Sequence, residues 1–170
     1  PAIPNDFRYK FSWSPVGVIK ALNNDAKFIR DFIEVTETPY KNVGKYTVNN
    51  EVYEAYPNRD SIPYISEYNF DSKWKTKEFV RGTLRLNGWK NAWSDIFKML
   101  DNKSPELNKQ IDILGEELWK KHPYLQDEQD RVVLFVKLLA RKDNKEVFNS
   151  FYAFVNHLSL TVHCKLCHHL

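Results

Sequence analysis

The first part of the chain alternates aromatic with polar residues. This alternation runs along residues 7–13 and predicts a half-buried strand, because successive side chains of a strand point to opposite faces. Ser14 and Pro15 follow as a helix cap and a first-turn proline, so a short helix is expected there. Its apolar positions are Val18, Ile19 and Leu22, and Asn23, Asn24 and Asp25 are expected to end it.

Further extended patterns follow before the middle of the chain. Residues 28–35 and 46–56 are predicted to be extended and joined by a loop over residues 39–44. Residues 62–68 are compatible with a brief helix, and residues 78–86 with another strand. This region is therefore expected to be mainly β-structure.

Helical spacing dominates the stretch that begins at Gly88. Its apolar positions are Trp89, Trp93, Phe97 and Leu100. Ser104 and Pro105 repeat the cap-and-proline signal before a second apolar stripe, formed by Leu107, Ile111, Leu114 and Leu118. The two tryptophans are interpreted as core residues and not as cofactor contacts. His122 is expected at a helix end, where a positive charge suits the helix dipole.

Residues 131–140 and 147–155 are predicted to form two long strands, with a turn at residues 142–145. Strands with interspersed helices and a hairpin near the end indicate the α+β class. We expect a mostly antiparallel sheet with helices packed on one face.

Composition limits the class of protein further. The 170 residues are 42% hydrophobic and 15% aromatic, which is typical of one folded globular domain. A net charge of +3 does not favour nucleic-acid binding, and no apolar run is long enough to span a membrane. No glycine-rich phosphate motif is encoded, so no cofactor-binding residue is predicted. The chain begins at Pro1 and its only methionine is Met99, so we expect a piece of a longer polypeptide.

Both cysteines, Cys164 and Cys167, lie near the end of the sequence beside several histidines, His163, His168 and His169. A structural zinc site needs four ligands held by a fold, and no second cysteine pair is present. We therefore expect no metal site, but either a flexible terminus that binds metal opportunistically or a sequence altered by truncation or a shifted reading frame. The absence of a disulfide framework also favours a cytoplasmic protein.

A short basic segment holds three lysines around Trp74, namely Lys73, Lys75 and Lys77. Such a segment can bind nucleic acid, but lysines also protect the exposed edge of a sheet. With so small a net charge, the edge-strand interpretation is preferred.

The most informative pattern is a stripe of Arg81, Thr83 and Arg85, which would share one face of a strand. Arg59 lies in a Pro-Asn-Arg-Asp-Ser turn that would bring it beside this stripe. Guanidinium groups grip planar carboxylates bidentately, so the pattern predicts a pocket for a small molecule with several carboxylates. The alternative is a set of internal ion pairs, for which the available acids are Glu54, Asp60 and Glu78.

Four motifs together resemble the C-terminal catalytic domain of saccharopine reductase, the glutamate-forming saccharopine dehydrogenase. They are Tyr-Lys-Phe-Ser-Trp-Ser-Pro at 9–15, Pro-Asn-Arg-Asp-Ser at 57–61, Arg-Gly-Thr-Leu-Arg at 81–85 and, more weakly, Asp-Arg-Val-Val at 130–133. The resemblance covers residues 1–148, an incomplete domain, while residues 149–170 are expected to form a divergent terminal strand and tail.

The resemblance implies particular substrate-binding residues, which are Arg59, Thr83, Leu84 and Arg85, with Asn58, Asp60 and Arg81 in support. It also implies that a separate Rossmann domain, absent from this chain, holds NADP(H). No catalytic residue is assigned.

We therefore expect the substrate-binding portion of an oxidoreductase of lysine metabolism. The implied reaction interconverts saccharopine with glutamate and aminoadipate semialdehyde by hydride transfer, and this fragment alone is expected to be inactive. A homodimer is a further expectation. The alternative hypothesis is a non-catalytic module, derived from that domain, which binds a dicarboxylate or a protein partner.

Overall fold

The structure, a computed structural model, describes residues 5–125, 128, 131–142, 145–156 and 159–167. The helices are α1 (Pro15–Asn23), α2 (Pro63–Glu67), α3 (Trp89–Ala92), α4 (Ser94–Asp101) and α5 (Leu107–Lys121), with a 3-10 helix at Pro39–Lys41. The strands are β1 (Ala26–Arg30), β2 (Ile33–Glu37), β3 (Gly44–Val48), β4 (Glu51–Pro57), β5 (Gly82–Leu86), β6 (Arg131–Lys142), β7 (Lys145–Asn156) and β8 (Ser159–Cys167).

The predicted α+β class is confirmed, but the strands of the described residues divide among three sheets. One is the β1–β2 hairpin, the second has the order β3-β4-β5, and the third has the order β6-β7-β8. The pairings of β1 with β2, β4 with β5, β6 with β7 and β7 with β8 are all antiparallel. We had expected a single sheet. The sequence did not indicate the division, because its periodicity identifies strands but not the strands with which they pair.

The chain divides into two compact units, of which the larger comprises residues 5–47 and 51–124. Its core is rich in aromatic side chains, and Trp89 and Trp93 are fully buried, as predicted. Tyr40 stacks on Phe97 with ring centroids 4.7 Å apart. The other buried members of this core are Phe11, Val18, Ile19, Leu22, Tyr56, Ile96, Leu100, Ile111 and Leu118.

Two helix starts follow the predicted cap-and-proline signals. Ser14 Oγ accepts a hydrogen bond from Gly17 N at 3.2 Å, and α1 begins at Pro15 as expected. Ser104 Oγ accepts from Glu106 N at 3.2 Å, but α5 begins only at Leu107, because the preceding residues form a turn. The brief helix predicted at residues 62–68 is α2.

The predicted strand over residues 7–13 is wrong. Asn5 closes a local turn instead, since its Nδ2 donates to Tyr9 O at 2.9 Å and its Oδ1 accepts from Tyr9 N at 3.2 Å. Arg8, inside this turn, has a φ of 57°. Phe7, Tyr9 and Phe11 nevertheless all contact the Trp93 ring. Packing around one indole therefore accounts for three of the four alternating aromatic residues, whereas Trp13 is exposed.

Residues 28–35 and 46–56, each predicted as one extended piece, include the turns of the β1–β2 and β3–β4 hairpins. Asp31 and Phe32 turn the first at φ values of 49° and 67°, and Asn49 and Asn50 turn the second at 49° and 63°. Consecutive positive φ values are typical of two-residue hairpin turns. Asparagine tolerates this conformation, whereas phenylalanine rarely adopts it, so only the second turn carried a recognisable sequence signal.

The smaller unit comprises the remaining described residues, 48–50 and those from 125 onward. The predicted pair of long strands is confirmed as β6 and β7, which pair along their full lengths. The turn between them includes residues 143 and 144, which lie outside the described residues. Residues 159–167 form β8, which pairs with β7 in place of the expected flexible terminus. Across the described part of the chain, no helix has the length and apolarity needed to cross a bilayer.

His122 lies at the end of α5 as predicted, but a positive charge is not favoured there. Its ring stacks on Phe7 with centroids 4.5 Å apart and an interplanar angle of 8°. Burial lowers the pKa of His122 below its ordinary value, and the positive charges of Lys121 and Lys10 lower it further. The expected favourable interaction with the helix dipole is therefore outweighed.

We predict that His122 makes the protein less stable as the pH falls below about 6.5, its ordinary pKa. The folded state binds this proton less readily than the unfolded state, so stability rises with pH between the lowered pKa and the ordinary one. Thermal unfolding across this range measures the effect. His122→Phe keeps an aromatic ring on Phe7 and is expected to flatten the pH dependence. An unchanged slope in this variant would contradict the prediction.

Gly115 allows α5 to lie close to α1. A Cβ atom at this position would overlap Val16 Cγ2 and lie 3.3 Å from Val16 N. Gly115→Ala is expected to lower the free energy of unfolding by about 1–3 kcal/mol through overpacking, despite the better helix propensity of alanine. In a Val16→Ala background the overlap with Cγ2 is removed and only the close approach to the backbone N remains, so the same change is expected to cost less. Urea denaturation measures both, and equal losses in the two backgrounds would refute this contact.

Candidate functional site

The candidate site begins with the register of β4 and β5. Glu54 pairs with Arg85, and Tyr56 pairs with Thr83. Directly opposed residues of an antiparallel pair share a face, and so do residues two apart on one strand. The backbone therefore assigns these four side chains to one face of the β3-β4-β5 sheet.

Arg85 lies half-buried among three aromatic side chains on that face. The guanidinium carbon is 4.7 Å from the Tyr9 ring centroid, 5.5 Å from that of Tyr56 and 5.8 Å from that of Trp89. Arg85 Nη2 also donates a hydrogen bond to the Tyr56 hydroxyl at 2.8 Å. Aromatic faces attract a cation electrostatically. We call Tyr9, Tyr56 and Trp89 the arginine cage.

The Arg85 charge has no carboxylate partner within the described parts of the chain. Its Nε atom is buried and makes no hydrogen bond to any described residue. Glu54, the acid opposite it in the ladder, instead accepts hydrogen bonds from Gly88 N at 3.1 Å and Lys90 N at 2.7 Å. A buried polar group without a partner is costly. A bound anion would satisfy this guanidinium.

Tyr56 does not supply the missing negative charge. Burial raises the pKa of the Tyr56 hydroxyl above its ordinary value. The positive charge of Arg85, together with hydrogen bonds from Arg85 and Thr83, opposes this rise without overcoming it. Tyr56 is therefore neutral near neutral pH, and the cage remains positively charged.

The ladder also determines the direction of the Leu84 backbone. Asn58 N donates to Arg81 O at 2.8 Å, which identifies these opposed residues as a hydrogen-bonded pair. Hydrogen-bonded and non-hydrogen-bonded pairs alternate along an antiparallel ladder. Leu84, paired with Ala55, is therefore a non-hydrogen-bonded position, and its N–H and C=O groups point away from β4. Because β5 is the outer strand of its sheet, these groups face an open edge.

Arg59 lies in the turn that follows β4. It has a φ of 55°, and its carbonyl accepts from Lys27 N at 2.9 Å. The Arg59 side chain is exposed, and no described residue forms an ion pair or hydrogen bond with it. Asp60 stabilises the same turn by accepting from Ile62 N at 2.9 Å. The backbone thus holds the turn while leaving this guanidinium available.

Arg81 does not join the predicted stripe. Strand β5 begins only at Gly82, and the Arg81 guanidinium carbon lies 3.5 Å from the Tyr64 ring centroid. Its backbone N donates to Ser61 Oγ at 3.0 Å. Of the three predicted stripe residues, Thr83 lies opposite Tyr56 in the ladder and Arg85 donates to its hydroxyl. Arg81 instead contacts the ring of Tyr64.

The arginine cage and the role of Glu54 were not predicted from the sequence. Tyr56 could have been identified if β4 and β5 had been paired correctly, since a residue opposite Thr83 in a β-ladder shares its face. Tyr9 and Trp89 were not recoverable, because only tertiary packing brings them to Arg85.

Comparison with known proteins identifies the family of the chain. Residues 1–167 match the model of the family described as the saccharopine dehydrogenase C-terminal domain. The chain belongs to this family. The match extends past residue 148, while the division proposed at that residue stays a prediction.

Among relatives, the alpha-aminoadipic semialdehyde synthase of Arabidopsis thaliana is 36% identical over 104 residues, which are 58% of this chain and 10% of that protein. The saccharopine dehydrogenase [NADP(+), L-glutamate-forming] of Pyricularia oryzae is 34% identical over 119 residues, which are 63% of this chain and 25% of that protein. The chain thus spans a quarter or less of these relatives.

A solved structure shows the same fold. Apo histidine-tagged saccharopine dehydrogenase (L-Glu forming) from Saccharomyces cerevisiae matches with a TM-score of 0.66 and 21% sequence identity. The match covers 91% of this chain and 50% of the yeast chain. At this identity the likeness supports the fold.

Proposed function

We propose that this chain is the substrate-binding portion of an oxidoreductase that interconverts saccharopine with glutamate and aminoadipate semialdehyde. Family membership supports the reaction class, and the unpaired Arg85 charge supports the kind of ligand. Saccharopine carries three carboxylates, so it would supply the anion that the arginine cage lacks. This single feature, a half-buried guanidinium without a described counter-ion, carries the proposal.

The binding roles follow from the geometry of the described residues. Arg85 would grip one carboxylate from within the cage, and the exposed Arg59 would bind another. Thr83, beside Arg85, would donate a hydrogen bond, while the outward N–H of Leu84 would set the register of the ligand. Asn58 and Asp60 would shape the Arg59 turn, and Arg81 would support it through its backbone contact with Ser61.

The NADP(H) of the proposed reaction would bind mainly outside this chain. The glycines are too widely spaced for a phosphate-binding motif. The strand pairings determined for the described residues are antiparallel and provide no βαβ unit. The residues present do not fit a dinucleotide, so no step of the reaction is assigned through it.

We also retain a cytoplasmic location and a homodimer as proposals.

We predict that Arg85→Ala, introduced into the complete gene product, raises the KM for saccharopine by at least tenfold. Loss of a hydrogen bond between charged partners costs about 1.5–3 kcal/mol, which corresponds to roughly ten- to hundredfold. Steady-state kinetics with saccharopine and NADP measure the change. Arg30→Ala is a suitable control, because Arg30 is exposed and already paired with Glu37 at 3.1 Å. Wild-type substrate kinetics for Arg85→Ala would remove Arg85 from the site.

We predict that Arg59→Ala weakens saccharopine binding more than NADP binding. Its guanidinium has no described partner to lose, so the fold is expected to be unaffected. Thermal unfolding should confirm an unchanged melting temperature, and the KM values for the two substrates should separate. Equal KM increases for saccharopine and NADP would argue against a carboxylate contact by Arg59.

A further inference from the structure

Tyr56 is the point at which two of the proposed substrate-binding side chains meet. Its hydroxyl accepts from Arg85 Nη2 at 2.8 Å, and Thr83 lies directly opposite Tyr56 in the β4–β5 ladder. We infer that Tyr56 is a positioning residue, whose hydroxyl fixes the orientation of the Arg85 guanidinium for bidentate binding of a substrate carboxylate. This inference rests on the proposed function.

Arg85 needs such an anchor because aromatic contacts alone leave its direction undetermined. A ring face attracts a cation without selecting which N–H edge points toward a ligand. Bidentate binding requires the planar fork to present one edge to the carboxylate. A hydrogen bond at one Nη atom selects that edge, because hydrogen bonds weaken steeply when they are misaligned.

Tyr56 is itself held firmly in place. Its side chain is buried, and its ring stacks on Trp89 with centroids 5.0 Å apart and an interplanar angle of 23°. Trp89 is fully buried in the core of the larger unit. Core packing therefore determines the position of the hydroxyl, and through it the position of Arg85.

Glu54, which also lies on this face, does not perform this task. Its two carboxylate oxygens accept from the backbone amides of Gly88 and Lys90. An arginine anchored by a carboxylate would also be neutralised, and its attraction for a substrate anion would fall. A neutral phenol anchors the guanidinium while preserving its charge.

The test is Tyr56→Phe in the complete gene product, a change that keeps the ring and removes the hydroxyl. We expect kcat/KM for saccharopine to fall about tenfold, mainly through KM, and the KM for NADP to stay unchanged. Tyr40→Phe is a matched control. Tyr40 is also a buried tyrosine stacked on an aromatic ring, with its hydroxyl donating to Asp101 at 3.0 Å. The control is expected to keep wild-type kinetics.

A double-mutant cycle shows whether Tyr56 acts through Arg85. If it does, adding Tyr56→Phe to Arg85→Ala causes no further loss of saccharopine affinity, measured by calorimetry as well as by KM. A full tenfold loss in both backgrounds would overturn the inference.

The outcomes also separate this inference from the proposed function. Wild-type kinetics for Tyr56→Phe, together with impaired kinetics for Arg85→Ala, would reject the positioning role and leave the binding site intact. Wild-type kinetics and affinity for Arg85→Ala would reject both.

Discussion

A guanidinium charge held among aromatic rings, without a described counter-ion, is the constraint on which the candidate site depends. Arg85 is attracted by Tyr9, Tyr56 and Trp89 and receives one neutral hydrogen-bond acceptor. Burying a charge in this way is unfavourable unless an anion binds. Under the proposed function, a substrate carboxylate would supply this anion.

The fold maintains this state because the acid opposite Arg85 in the ladder is bonded to other groups. Glu54 shares a face with Arg85, yet it accepts hydrogen bonds from the backbone at the start of α3. The same interaction fixes α3, and Trp89 is the first residue of that helix. The Glu54 carboxylate thus helps to position Trp89 of the arginine cage and does not pair with Arg85. In the proposed function, the carboxylates of saccharopine would pair with this arginine.

Short stretches of sequence correctly predicted the elements that depend mainly on neighbouring residues. The serine cap and proline of α1, the apolar stripe of α5 and the long β6–β7 hairpin all follow from residue type and spacing. The alternation at residues 7–13 misled for a physical reason, since Trp93 gathers those aromatic rings around a turn. The turn at Asp31 and Phe32 was missed because phenylalanine is rare at positive φ.

Part of the candidate site was also predictable from the sequence. The rule that alternate residues of a strand share a face correctly placed Thr83 beside Arg85. It failed for Arg81, which precedes β5 and stacks on Tyr64. The cage combines Tyr9 from a turn, Tyr56 from β4 and Trp89 from α3. No spacing rule relates residues of three separate elements, so only tertiary structure reveals them.

A crystal structure of the complete gene product with bound saccharopine would test the central claim most directly. The account predicts a substrate carboxylate within hydrogen-bonding distance of the Arg85 guanidinium, with the Tyr56 contact retained. Saccharopine bound elsewhere, with Arg85 paired to a carboxylate of the protein, would contradict it.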